Sequence, residues 1–184
     1  KYLYETLGAG VLDPRFPEVR AFLAGVYEKA LRDWTAAHAD LAAARDAAQH
    51  GYLPQKLEAK LPGFDPSKPL ATRNACGAVM CALAAEVPFL VGGSADLEPS
   101  NKTNLKPFGW NSATDFSGRN FHWGIRELGM SAIVNGLVAH GGYRAFGATF
   151  AVFSDYCKPA MRLAALMGLP SMWVFSHDSF YVGE

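Results

Sequence analysis

The residues with the most chemical capacity are concentrated between Gly118 and Met130, in the run GRNFHWGIRELGM. Aromatic rings, glycines and arginines surround a single carboxylate there, Glu127. An apolar run follows to Ala139, so the stretch reads as a loop or short strand that delivers Glu127 into the first turn of a buried helix. The helix dipole favours an acid at that position. Apolar walls close to it make Glu127 a candidate for proton transfer. A glutamate that only complements the dipole gives the same local pattern.

Other candidates follow short apolar runs. After Phe89-Leu90-Val91 come Gly92, Gly93, Ser94, Ala95 and Asp96, then Pro99, Ser100 and Asn101. The glycines would let backbone approach a ligand closely and set the Asp96 carboxylate beside it. An Asx-turn or helix cap explains Asp96 equally well, and Ser100 and Asn101 are common turn residues. Phe150, Phe153 and Tyr156 recur every three residues, one aromatic face if the segment is helical. Such a face serves core packing or forms a wall on which a flat heterocycle stacks. His177 follows the apolar run Met172 to Ser176 and adjoins Asp178; it suits either a substrate oxygen or a structural hydrogen bond. Arg73 is either a surface residue or a phosphate ligand.

These groups need a frame that brings them to one edge. From about Arg20 to His50 the pattern is helical, with Tyr27, Leu31, Trp34, His38 and Leu41 on one face and Gly51 as a stop. Pro54, Pro62, Pro66 and Pro69 make 51–70 an extended linker. Beyond it, Thr72 can cap a helix running through Val79 to Ala85. A buried strand follows at Phe89 to Val91 and ends in Gly92-Gly93, then come a helix from Arg126 to Ala139 and a strand from Arg144 to Phe150. A helix from Phe153 to Met167 and a strand from Met172 to Ser176 complete the alternation. Strands alternating with helices predict an α/β fold with a doubly wound, mostly parallel sheet flanked by helices. In such sheets ligands sit beyond the carboxyl ends of the strands, where the candidates above fall.

The bulk composition narrows the classes. The chain has 184 residues, half of them hydrophobic and 18% charged, so it is globular. Lys plus Arg and Asp plus Glu both number 17, which argues against a nucleic-acid footprint and gives no electrostatic handle on a membrane. Three cysteines, Cys76, Cys81 and Cys157, form neither a disulfide framework nor a zinc spacing, and point to a cytoplasmic setting. The start at Lys1 and the stop at Gly183-Glu184 read as part of a longer chain.

The blocks taken together resemble the transketolase family. FHWGIRELGM is similar to the segment holding the glutamate that faces the thiamine diphosphate pyrimidine. GGSADLEPSN at 92–101 resembles the GGSADL-x-PSN block, and ATR at 71–73 resembles the start of the middle domain. ATFAVFSDY at 148–156 is similar to the aromatic cofactor wall; MRLAAL at 161–166 and SHDSFYVGE at 176–184 keep the order. Five ordered blocks are far more specific than one short motif. The match is close over about 68–184 and looser before it.

The resemblance implies a role for each candidate. Glu127 matches the glutamate that hydrogen-bonds the pyrimidine ring nitrogen and favours its imino tautomer. Phe153 matches the ring that packs the pyrimidine, with Phe150 and Tyr156 beside it, and Asp96 the carboxylate near the thiazolium. Arg73 and Ser100 match ligands of the sugar phosphate, and His177 a histidine touching ketose hydroxyls. Leu128 stands where many members carry histidine, which puts a secondary contact in doubt. Implied with these are two-carbon ketol transfer between sugar phosphates in the pentose phosphate pathway and a homodimer whose site is shared between subunits. Mg2+ or Ca2+ would be held by residues outside this chain.

The implied organisation is a helical tail of an amino-terminal diphosphate domain at 1–50, the linker at 51–70, and a pyrimidine-binding domain at 71–184 cut at its carboxyl end. Alone, such a piece is expected to be inactive. A dihydroxyacetone synthase-like enzyme with the same middle domain and a non-catalytic thiamine-binding module are the alternatives.

Overall fold

The computed structural model describes residues 17–176. Contacts divide the chain into two units, meeting between Arg45 and Asp46. In the first, helix α1 spans Pro17–Ala37, and helix α2, Ala39–His50, begins there and ends in the second unit. The single helix expected from Arg20 to His50 is therefore two. Arg45 Nη2 donates to Tyr27 Oη at 3.0 Å. Eighteen residues of straight helix would hold these residues about 27 Å apart, so the chain bends at His38. The predicted stripe stays partly open, with Leu31 and Trp34 half-buried and Tyr27 exposed.

In the second unit the proline-rich stretch is not wholly extended. It contains a short 3-10 turn, Leu57–Lys60, and Leu57 packs against the core. Helix α3 spans Thr72–Glu86 and takes Ala71, not Thr72, as its N-cap. Strand β1 is Leu90–Ser94, and the one-turn helix α4 is Glu98–Asn101. Helix α5 spans Glu127–His140, β2 spans Arg144–Phe150, helix α6 spans Ser154–Met167, and β3 spans Met172–Ser176. These ranges lie within a residue or two of the sequence pattern. The exception is α4, a one-turn helix where the sequence offered turn residues at Ser100 and Asn101; β1 runs one residue past the expected Gly92-Gly93 end.

The sheet is parallel, in the order β1-β2-β3, with Leu90 opposite Arg144 and Phe146 opposite Met172. Strand side chains alternate between two cores. Leu90, Phe146, Ala148 and Val174 face α3, with Met80, Ala84 and Leu105. Val91, Ala145, Trp173 and Phe175 face α5 and α6, with Met130, Val134 and Cys157. β1 is buried along its whole length, as a parallel strand covered on both faces must be.

The outer edge of β1 is covered by the segment before α5. Gly92 N donates to Arg119 O at 3.0 Å, and Phe121 N donates to Gly92 O at 2.8 Å. This changes the meaning of the two glycines. Gly92 sits against the Phe146 backbone and ring, and Gly93 against the Phe121 carbonyl. Their missing side chains let protein backbone approach, not a ligand.

Replacing Gly93 with alanine drives a methyl into the Phe121 carbonyl and should cost about 1–3 kcal/mol. Gly136 in α5 has open space around it; Gly136→Ala should stabilise by about 0.5–1 kcal/mol through helix propensity. Urea unfolding followed by circular dichroism reads both. A Gly93→Ala protein as stable as the parent would contradict the edge packing described.

Candidate functional site

Three element ends converge at the carboxyl edge of the sheet. The first is the exit from β1. Ala95 N continues the ladder by donating to Ala148 O at 2.8 Å. Asp96 then turns the chain in the left-handed region, at φ 62°, which aspartate tolerates better than most residues. Ser94 Oγ accepts from Leu97 N at 3.2 Å and from Asn101 Nδ2 at 2.8 Å. Thr103 Oγ1 donates to Asn101 Oδ1 at 2.9 Å. Ser94, Asn101 and Thr103 are all buried, so Asn101 is a structural tie and not a surface turn residue. The tie fixes α4 and aims the exposed Asp96 outward.

The second end is the start of α5. Glu127 is its first residue and only 8% exposed. Its carboxylate Oε1 accepts from Thr149 Oγ1 at 3.4 Å. The neighbouring Arg126 turns away, donating from Nη1 to Trp123 O at 3.2 Å. The third end is β2 and the 3-10 turn Ala151–Phe153 that links it to α6. Phe150 closes the strand, Phe153 lies in the turn and Tyr156 in the first turn of α6. Their rings stack in series, Phe150 to Phe153 at 6.1 Å and 11°, then Phe153 to Tyr156 at 6.1 Å and 28°. The aromatic face expected on one helix is instead built across a strand end, a 3-10 turn and a helix.

The three ends enclose a cleft of about 520 Å³ lined by Ala95, Asp96, Leu97, Ile125, Glu127, Phe153 and Tyr156. That volume falls in the range of small-ligand sites, about 300–1,000 Å³. Its chemistry is one buried carboxyl, one rim carboxyl and an aromatic wall. Asp96 also borders a smaller cleft of about 230 Å³, lined by Ser94, Glu98, Pro99, Trp110, Phe121, His122 and Gly124. The indole of Trp110 stacks on the His122 ring there at 3.8 Å and 13°.

Asp96, Glu127, Phe153 and Tyr156 thus share one cleft, and Phe150 backs Phe153 from the core, 6% exposed. Arg73 and Ser100 meet each other instead: Arg73 Nη1 donates to Ser100 O at 3.3 Å, and neither is among the residues lining this cleft. His177 lies outside the described residues. Ile125 and Leu97 line the cleft without having drawn notice in the sequence, because an isolated aliphatic residue in a loop carries no pattern. The Trp110–His122 pair escapes for another reason: it depends on the bridge between Trp110 and Asn120, a long-range contact.

Residues 68–184 match the family model described as Transketolase, pyrimidine binding domain. The Bacillus subtilis transketolase is 48% identical over 164 residues, covering 85% of this chain and 25% of its own. The Treponema pallidum transketolase is 54% identical over 126 residues, covering 67% and 19%. Among solved structures, the Leishmania mexicana transketolase superposes with a TM-score of 0.83 at 40% identity, over 91% of this chain and 25% of that one. The chain belongs to the transketolase family. It spans about a quarter of the length of the curated relatives it matches. As a transketolase pyrimidine-binding domain it presents the cleft at the strand-end edge, and among its described residues no helix is long and apolar enough to cross a membrane.

Behind the cleft lies Cys157, fully buried, whose thiol donates to Glu127 O at 3.9 Å. Burial pushes its pKa up, a hydrogen bond with Ser131 opposes this, and the Glu127 charge pushes it further up. The folded thiol therefore keeps its proton to higher pH than the unfolded one, which titrates near about 8.5. Above that pH the unfolded state loses its proton first, so this stabilisation is whole below it and is lost as pH rises toward the folded value. Unfolding free energies measured from pH 7 to 10 should fall with pH, and Cys157→Ala should flatten the fall. Cys76, also raised by burial, contributes in the same direction. An unchanged slope would mean that Cys157 does not titrate in this way.

Proposed function

We propose that this cleft holds the pyrimidine ring of thiamine diphosphate, and that the complete protein transfers a two-carbon ketol unit from a ketose phosphate to an aldose phosphate. The observation that carries this is a single buried carboxyl, Glu127, opening into the same cleft as a stacked aromatic wall. A flat heterocycle with a ring nitrogen fits that donor set: stacking on one face, one carboxyl in hydrogen-bond reach of the edge. The volume and the predominantly apolar lining agree with a bound ring.

When bound, thiamine diphosphate supplies the carbanion chemistry. The chain's own residues orient it and control protons. Glu127 holds a proton between its carboxyl and the ring nitrogen. Phe153 packs the ring face, while Phe150 and Tyr156 keep Phe153 from turning. Asp96, exposed at the mouth, would offer its carboxylate to the bound cofactor. Arg73 and Ser100, already in contact, offer a guanidinium and a hydroxyl to a sugar phosphate, and His177 a donor to ketose hydroxyls.

Relatives support the substrate class. Structures of the Pichia stipitis transketolase, 34% identical, include complexes with sedoheptulose-7-phosphate and xylulose-5-phosphate. The diphosphate and its Mg2+ or Ca2+ would be bound by residues outside these 184, on a second subunit of a homodimer. Ile125 and Tyr156, 79% and 62% exposed on the cleft rim, are apolar surface that such a subunit would cover. The setting is the pentose phosphate pathway of the cytoplasm.

Glu127→Gln in the complete protein should lower kcat on the order of 10²–10⁴-fold. Steady-state ketol transfer with saturating thiamine diphosphate and magnesium measures it, and parental turnover would rule the assignment out. The 184-residue chain by itself, given the same additions, should show no ketol transfer, and any measurable turnover would refute the shared site.

A further inference from the structure

The carboxyl of Glu127 needs fixing from outside its own helix. Its N-cap neighbour Arg126 makes no side-chain capping bond. The main chain of this first turn is held from α6, through the Cys157 thiol on Glu127 O. The side chain is held from the other side, by Thr149 Oγ1 on Oε1 at 3.4 Å. Thr149 has no exposed surface, and it lies on β2, the middle strand, paired with Phe175 of β3. Its β-branched side chain is stiff at χ1, so the strand sets where the hydroxyl points. The next residue, Phe150, begins the ring stack.

We propose that Thr149 is a positioning residue for the reaction: its hydroxyl holds Glu127 by one carboxyl oxygen and aims the other into the cleft, in register with the aromatic wall on the same strand end. This rests on the reading of Glu127 as the partner of the pyrimidine nitrogen. A carboxyl tied to β2 cannot drift relative to the ring platform, because one short backbone segment carries both supports. Misplacing a reacting group by about 1 Å can cost 10²-fold in rate.

Threonine separates shape from hydroxyl. Thr149→Val keeps the shape and removes the donor; Thr149→Ser keeps the donor and removes a methyl. In the complete protein with thiamine diphosphate and magnesium, valine should lower kcat about 10- to 100-fold with sugar KM nearly unchanged. Serine should stay within about threefold of the parent in kcat, with only the modest loss of thermal stability that a deleted methyl brings, whereas valine, which leaves the Glu127 carboxyl without its donor, should lose at least as much. In a Glu127→Gln background, Thr149→Val should add little further loss. The reverse order, valine at parental turnover and serine impaired, assigns Thr149 to packing and overturns the proposal. Should valine fail to fold, Thr149→Ala replaces it: serine active and alanine impaired supports the role, and equal losses overturn it. If Glu127→Gln keeps parental turnover, the reading of Glu127 falls; if it is inactive and Thr149→Val is not impaired, only the role of Thr149 falls.

Discussion

A carboxyl group placed in a nearly dry corner of a protein is costly unless something hydrogen-bonds it. The structure meets that constraint where the first turn of α5 abuts the end of β2. Glu127 gains the partial positive charge of a helix N-terminus and the Thr149 hydroxyl. The second of these exists only while α5 and β2 stay in register, and further contacts keep them there. Gly147 lets Met130 press onto β2 with no side chain between them. Farther along α5, Trp173 Nε1 donates to Ser131 Oγ at 3.0 Å and Ser171 Oγ to Asn135 Oδ1 at 2.8 Å, fastening the helix to β3 and its approach. Asn135 Nδ2 donates in turn to Ala160 O at 2.8 Å, fastening it to α6. Buried polar ties of this kind fix one arrangement where apolar packing alone tolerates sliding.

The opposite wall of the cleft is held by the same logic. The Ser94–Asn101–Thr103 network clamps α4 to the end of β1, and the clamp dictates where Asp96 emerges. Asn120 does the equivalent for the covering segment: its amide accepts from Leu105 N at 2.8 Å and donates to Leu105 O at 3.1 Å. Arg119 lies over the Phe108 ring at 3.2 Å and donates to Val87 O and Pro88 O, both at 3.1 Å. Burial lowers the pKa of that guanidinium, but arginine stays charged at any physiological pH. Positive charge is thus spent on main-chain carbonyls behind β1, away from the cleft, whose own ionisable lining is acidic.

Much of this was legible in the sequence because the signals are local. Helix and strand periods reproduced α3, α5, α6, β2 and β3 to within a residue or two, since each period reports a buried face. The convergence of Asp96 and the aromatic run at one edge followed from the direction of parallel strands. Other features depend on residues distant in the chain. The bend at His38 has no proline or glycine to announce it; it is defined by Arg45 reaching Tyr27. The purpose of Gly92 and Gly93 is set by Phe146 and Phe121, residues on other segments.

The sequence by itself determined the parallel α/β class, the edge on which chemistry would gather, and the family to which the ordered blocks belong. Only the tertiary structure decided that Phe150, Phe153 and Tyr156 form a wall by continuing from strand to turn to helix, and that Glu127 rests on Thr149. It also separated Arg73 and Ser100 from the aromatic cleft and turned Asn101 from a turn residue into a clamp. The physical reason is the range of the interactions. Periodicity and turn chemistry act over a few residues and leave a mark in the sequence. A hydrogen bond or ring stack between segments tens of residues apart leaves none until the chain has closed.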